Sequence, residues 1–427
     1  MPKTKGYDWC DIDNPPIIEE HSVAKHQVLQ FYLERYLKVM TANPRRDSVR
    51  IHLIDGFAGG GKYIHETTRV LHDGSPLIFL KTIESSEREI QATRKKTFRI
   101  HAHYYFVEKE VKFFKFLQET LARESYKNQI GKTITLVKGT FVDVLPKLLS
   151  DIKSSSRKPR SIFLLDQYGY KDVPFQTLQL IFATLPNTAE VLLTYASDAL
   201  INYMANTEGF KQILENAGLT DVITGEIIKN FRESPQSESK EARLVIEQLL
   251  ASNILKKSGA SYFTPFFITS PKSSRSYLLV HLSNHVKARD EMNKVHWELK
   301  NHFHHYGNAG INNNMLMLGV NPKRNLGDQV LLDYCFDDNA EKRTYNALLE
   351  EIPHLITSEK SITFGSLLME TCNNTPANSK HYKEVLARLV AEKIITITSK
   401  DGKQQHSSPN TIKNDDIITP AKQFNLF

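Results

Sequence analysis

The chain has 427 residues, 40% hydrophobic and 24% charged, a length that calls for two or three folded units and a balance that excludes wholesale disorder or a collagen-like fibre. Three cysteines, Cys10, Cys335 and Cys372, are too few and too far apart for a disulfide framework or a CxxC metal pair, so neither a structural zinc nor an iron–sulfur cluster held by this chain alone is expected, and the metal-ligand set is empty. Lys+Arg exceed Asp+Glu by 55 to 48, a modest excess that leaves room for an anionic partner such as DNA or RNA without demanding one.

Residues 1–16 contain no apolar leader segment, and no later stretch approaches the about 20 apolar residues of a membrane helix, so a cytoplasmic protein without a membrane partner is expected. Ser22 to Met40 places Val28, Leu29, Tyr32, Leu33, Tyr36 and Leu37 at helical spacing, which predicts an amphipathic helix closing an N-terminal extension over residues 1–47. A strand over Val49–Ile54 then ends in Asp55 and a glycine-rich turn. Ser75, followed by Pro76, predicts a helix start at which Ser75 is the cap.

From there strand and helix alternate: His103–Val107 and Val111–Arg123, Ile134–Val137 and Phe141–Leu149, Ser161–Leu165 and Phe175–Ala183, Glu190–Thr194 and a helix through Tyr203. Alternation of this kind predicts βαβ units and a doubly wound α/β sheet over residues 48–325. Tyr262–Ile268 and Ser276–Leu282 flank a polar loop and predict an antiparallel hairpin at its edge. Beyond residue 326 the pattern changes to helices over Arg343–Ile352, Phe364–Cys372 and Lys380–Glu392, a strand over Ile394–Ser399 and a Lys400–Gly402 turn. Three helices, a strand and an Asp-Gly turn predict a winged helix over 326–427, whose third helix offers Lys380, Lys383 and Arg388, and whose wing offers Lys400, to a nucleic acid.

The turn after the first strand reads Asp55-Gly-Phe57-Ala-Gly59-Gly-Gly61. Glycines let backbone amides approach a ligand, and a carboxylate beside them suits a cationic one. S-adenosylmethionine carries both a sulfonium and an ammonium. Glu108 ends the next strand, where a ribose-binding carboxylate belongs; Gly139 and Phe141 follow the third, where adenine is framed, with Asp143 as a further contact. Asp166 ends the fourth strand and Tyr168 follows it, placing an acid and a stacking ring where a transferable methyl would emerge. The competing motif is a phosphate loop, since Gly56 to Lys62 fits G-x4-G-K, but Tyr63 stands where Ser or Thr should hold magnesium and Asp55 would face the phosphates.

At Lys25…Tyr36-Leu37, Asp55-Gly-Phe-Ala-Gly59, Gly74-Ser-Pro-Leu77, Asp166-x-Tyr-Gly169 and Ser276-Tyr-Leu-Leu-Val…His285, before Met292 and Trp297, the chain resembles the three-Cys-motif partner proteins, a bacterial family with a class I methyltransferase-like domain. The resemblance spans residues 20–300, and the winged helix is similar to an appendage of that group. It implies a Rossmann-like cofactor domain and a protein partner bearing three cysteines, of radical-enzyme type. Two departures stand out: Gln167 where the family has proline, and Thr140 where an acid is common. Three functions follow as expectations: a nucleic-acid methyltransferase; a catalytically altered partner protein that recruits a three-cysteine enzyme to nucleic acid; and a nucleotide hydrolase of phosphate-loop type.

Overall fold

A computed structural model describes residues 7–168, 172–195, 253–269, 276–299, 304–305, 310–311, 334–335 and 337–421, with side chains left undescribed at 266–269, 276, 304–305 and 334–335. The helix expected through Tyr203 and the domain boundary expected at 325/326 lie outside these residues. The chain divides into two compact units, 1–288 and 289–427.

In the first unit, β1 (Ile17–Ile18) precedes α1 (Glu20–Met40), whose buried residues Val28, Leu29, Tyr32, Leu33, Tyr36 and Leu37 are those the spacing singled out. β2 (Ser48–Asp55) leads through the glycine turn into an unforeseen hairpin, β3 (Lys62–His65) with β4 (Leu71–Asp73), and β1 adds to β3 in parallel. α2 (Ser75–Ala92) is capped by Gly74, so Ser75 is its first helical residue rather than its cap. Then come β5 (Arg99–Glu108), α3 (Val111–Arg123), β6 (Ile134–Lys138), α4 (Phe141–Ser155), β7 (Ser161–Asp166), α5 (Phe175–Thr184) and β8 (Ala189–Tyr195). The Thr140 side chain caps α4 by accepting from the Asp143 amide. Finally β9 (Tyr262–Thr269) and β10 (Ser276–Ser283) form the expected hairpin.

The sheet order is β9-β10-β8-β7-β2-β5-β6. β2, β5, β6, β7 and β8 pair in parallel, while β10 runs antiparallel between β8 and β9. Starting from β2 the chain winds outward to β6, returns and winds outward to β8, so the reversal of direction falls between β2 and β7, where doubly wound sheets bind ligands at their carboxyl ends. Right-handed crossovers set α2 and α3 on one face and α4 and α5 on the other; α1 packs on α2, and α4 on α5. This is a doubly wound, Rossmann-like α/β sheet with the expected antiparallel terminal hairpin. Fully buried Leu53, Ile54, Phe79, Phe106, Phe163, Val191 and Val280 form its core.

The division between units falls within α6 (Val286–Glu298), whose residues from Arg289 onward belong to the second. There α7 (Asp338–Glu359), β11 (Ile362–Thr363), α8 (Phe364–Thr371), α9 (Ser379–Ala391), β12 (Ile395–Thr398) and β13 (Ile417–Pro420) make a winged helix. β13 pairs antiparallel with both β11 and β12. The wing between β12 and β13 turns at Gly402, φ +72°, and is pinned by a buried His406–Asp416 pair. α6 supplies a support that no sequence pattern announced. Arg289, 3% exposed, donates to the Ala377 and Thr375 carbonyls, Trp297 donates to the Pro376 carbonyl at 2.7 Å, and Asp290 accepts from the Ser379 amide at 2.6 Å and its hydroxyl at 2.7 Å. The turn from α8 into α9 is thus held by side chains from one helix.

Candidate functional site

The tips of β2, β5 and β7 bring Asp55, Glu108 and Asp166 into one electrostatic neighbourhood. Asp55 is fully buried. One carboxylate oxygen accepts from the Phe57 amide at 3.1 Å, and the other, Oδ2, is buried with no partner. Burial pushes its carboxyl up to about 7, with the charges of Asp166 and Glu108 adding to the rise and the Ser75 hydroxyl and Phe57 amide opposing it. A buried carboxylate oxygen without a donor is costly in a folded chain, and it calls for an explanation.

Glu108 is also buried, and burial raises its carboxyl. Its oxygens accept from the Gly59 amide at 3.0 Å and the Glu110 amide at 2.7 Å. The Lys109 amide adds a third donor, and the about four lone-pair sites of a carboxylate leave room for a further one. Glu108 therefore shapes the glycine turn as well as facing it. Gly59 and Gly61 occupy left-handed conformations at φ +57° and +80°, which only glycine adopts without strain. Their surroundings differ: a Cβ on Gly59 would meet the Trp9 ring at 2.6 Å, whereas Gly61 accepts from the Gly74 amide at 2.8 Å and presses against Leu117. Gly61 serves close backbone packing. Phe57 is half-buried.

Gly139, φ +158°, donates its amide to the Glu108 carbonyl. Phe141 is 2% exposed and packs beneath Gly56 and against Phe163. Asp143, by contrast, is exposed, and its carboxylate accepts from the Thr140 hydroxyl at 2.5 Å, so it belongs to the start of α4. Asp166 makes a two-pronged pair with Lys25 of α1 at 2.6 and 2.7 Å. Burial works to raise its carboxyl, but Lys25, Thr194 and His26 outweigh this and hold it below the usual carboxylate range. Tyr168 stands 62% exposed. Gly169 lies outside the described residues.

Several groups in this neighbourhood had been given no site role. Lys25 lies 141 positions from Asp166. Its signals were its place among the motifs of the resemblance and on the buried side of α1, between Ser22 and Leu29. Trp9 packs on Gly59 and Gly60, donates to the Lys62 carbonyl at 2.8 Å, and meets Tyr7, Tyr63 and Phe113 edge-on or tilted. Tyr63 is held well above its ordinary range, by burial first and then by Tyr7, Asp166, Asp55 and Glu108. Gln167, the departure from proline, is 2% exposed and closes its loop by accepting from the Val173 amide at 3.1 Å.

The phosphate-loop alternative fails on geometry. A phosphate loop opens directly into a helix, but Lys62 opens β3 and is tied to Glu124 at 2.7 Å and Asp73 at 3.1 Å. Of the cations expected to meet nucleic acid, Lys380 faces Glu384 at 3.7 Å, Arg388 donates to Glu392 at 2.8 Å and Lys400 lies 3.9 Å from Asp415. Lys383 stands 5.4 Å from the Phe364 ring centre. Among the described residues no group of three His, Cys, Asp or Glu could hold a metal, and no helix is long and apolar enough to cross a membrane.

A family model described as a GMT-like wHTH domain matches residues 319–402. No curated protein matches the chain. Among solved structures, an O-methyltransferase from Streptomyces achromogenes involved in tomaymycin synthesis, in complex with SAM, is similar at 12% identity and TM-score 0.27, covering 63% of this chain and 91% of its own. An O-methyltransferase from Bacillus cereus, in complex with SAH, is similar at 10% and 0.25, covering 59% and 80%. Precorrin-6y C5,15-methyltransferase from Geobacter metallireducens is similar at 10% and 0.24, covering 58% and 88%.

Proposed function

We propose that the first unit binds S-adenosylmethionine and directs methyl transfer to a nucleic acid. The observation that carries this is the buried Asp55 carboxylate, whose Oδ2 has no partner in the protein although it lies at a strand tip beside two left-handed glycines. Burying such an atom costs about 1–3 kcal/mol unless a donor arrives, and the ammonium of the cofactor is a donor of suitable charge. Glu108 would take a ribose hydroxyl on its remaining lone pair, with Phe57, Gly59 and Gly61 shaping the turn and Gly139 and Phe141 the floor beyond it. Asp143, on the exposed face of α4, would contribute at the rim.

When bound, the cofactor supplies an electrophilic methyl group. Asp166 would orient the acceptor, with Lys25 fixing the position of its carboxylate, and exposed Tyr168 is available to stack on a planar base. The acceptor is assigned to nucleic acid on two grounds, the winged-helix unit and the basic surplus of the first unit. Residues 1–288 hold 39 Lys+Arg against 31 Asp+Glu, and residues 289–427 hold 16 against 17, so the charge is +8 in one and −1 in the other.

Calorimetry with S-adenosylmethionine, its demethylated product and ATP tests the cofactor. The first two bind, ATP does not, and Asp55→Ala abolishes binding; heat from ATP alone would restore the hydrolase reading. Because Asp55 must be charged to meet an ammonium, affinity rises several-fold from pH 6 to pH 8, through the about 7 at which it titrates. A second reading concerns the winged helix. Its cations are neutralised locally, which favours a protein contact, in keeping with the three-cysteine partner, over Lys380, Lys383, Arg388 and Lys400 meeting phosphates. Co-purification of a cysteine-rich protein that Arg388→Glu releases supports this contact.

A further inference from the structure

Parallel sheets are ordinarily covered on both faces, and β5, paired in parallel with β2 and β6, is covered only in part on one of them. Its even residues Ile100, Ala102, Tyr104 and Phe106 are buried, whereas Arg99 and His101 are exposed and His103 and Tyr105 half-exposed. Exposed Arg50 of β2 stands directly beside His101 and donates to the Ser155 carbonyl at 3.1 Å. One side of this parallel strand is therefore a row of cations and planar rings. Ser155 is followed by exposed Arg157 and Lys158, and β5 is entered through exposed Lys95 and Lys96.

Among the described residues no carboxylate pairs with Lys95, Lys96, Arg157 or Lys158. The acids on this side are Glu87, already bonded to Arg99 at 2.9 Å and to the Ile100 amide, Asp151 beside Tyr105, and Asp47 at the strand entry. Unneutralised cations around a partly open face carrying Tyr105 and two imidazoles match the requirements of a single-stranded polyanion, which binds through phosphate contacts and base stacking. A duplex would offer its phosphates but not its base faces.

We infer that the exposed side of β5, with Arg50 of β2 beside it and Lys95, Lys96, Arg157 and Lys158 around it, binds single-stranded nucleic acid. The inference rests on the nucleic-acid reading above and places the electrostatic anchor on the first unit instead of the winged helix. From Arg99 to Glu108 is about 30 Å of strand, so this surface grips the strand at a distance from the residues assigned to the cofactor.

The test is anisotropy of labelled 20-nucleotide single-stranded DNA and RNA, and of a matching duplex, titrated with the full chain. The quadruple variant K95E/K96E/R157E/K158E loses at least about tenfold in affinity at about 0.1 M salt, and the slope of log affinity against log salt shrinks by about 3. Tyr105→Leu loses roughly fivefold on single strands and nothing on duplex, while K380E/K400E leaves both unchanged. Unaltered calorimetric binding of S-adenosylmethionine and an unaltered melting midpoint show that the quadruple variant is folded. Loss in K380E/K400E with none in the quadruple variant overturns the proposal while keeping the nucleic-acid reading. Tighter binding of duplex than of single strand, indifferent to Tyr105, overturns the single-strand assignment. Absence of binding to every oligonucleotide removes the nucleic-acid reading and the proposal with it.

Discussion

Two sets of cations, one in each unit, differ in whether a carboxylate answers them. On the winged helix, Lys380, Arg388 and Lys400 each face a carboxylate within 4 Å, and the Asp290 carboxylate occupies the start of α9 through Ser379. In the first unit, Asp55 keeps an idle oxygen in the core, and Lys95, Lys96, Arg157 and Lys158 stand around the exposed side of β5 with no carboxylate paired to them among the described residues. A cation already answered by a neighbour projects little field, so the number of basic residues on a motif says less than how many remain unanswered. The contrast teaches that Lys380, Arg388 and Lys400 sit in ordinary solvated pairs. Polar groups left unfinished mark the surfaces where something else completes them.

The comparison can be broken where compensation is strongest. Arg289→Ala removes the donors of the Thr375 and Ala377 carbonyls in a buried setting and destabilises the second unit by about 4 kcal/mol, read as a lowered midpoint of that unit in calorimetry. A loss below about 1 kcal/mol would show that α6 does not hold the α8–α9 turn. Lys25→Met strands the Asp166 carboxylate and costs the first unit about 3 kcal/mol; the companion variant Asp166→Asn, which removes the charge instead, costs less. An equal loss in both would mean that packing, not charge, is being measured.

Asp55→Asn runs the other way. The folded carboxyl titrates at about 7, against an ordinary 3.8. The folded unit thus keeps a proton that the unfolded chain releases, and this contribution is complete below pH 3.8 and is lost as pH rises through about 7. The neutral amide does not suffer that loss. Asp55→Asn accordingly raises the first unit's midpoint at pH 8, by an amount on the order of 2–3 kcal/mol, and brings no gain at pH 4, while cofactor binding disappears. A variant less stable at pH 8 would show that the charged form is not disfavoured by the fold. The smallest effect belongs to the exposed pairs: Lys380→Ala and Arg388→Ala each change stability by under about 0.5 kcal/mol, and a larger shift would mark these pairs as structural.

Much of the fold was legible in the chain. Hydrophobic spacing located α1, α3 and the strand cores because buried faces repeat with the period of their element, and strand–helix alternation leaves few topologies once crossovers are right-handed. The hairpin of Lys62–Asp73 was missed because its strands carry no buried alternation; β3 is half-buried throughout. Of the proposed site, the nearness of Asp55, Glu108 and Asp166 was visible since carboxylates ending successive strands must fall at one edge of a parallel sheet. Asp143 and Gly61 were visible by position, but only the fold showed that the Asp143 carboxylate accepts from the Thr140 hydroxyl and that the Gly61 carbonyl accepts from the Gly74 amide.

Local pattern therefore settled which residues form strands and helices, which strand ends carry acids, and where a winged helix begins to take shape, because those properties depend on neighbours a few positions away. Only the folded chain decided that Lys25 would grip Asp166, that Trp9 would lie on the glycine turn, that α6 would hold the α8–α9 turn, and that one side of β5 would be covered only in part. Each of those joins groups tens to more than a hundred positions apart, and both charge compensation and exposure are properties of spatial neighbours, which no local period encodes.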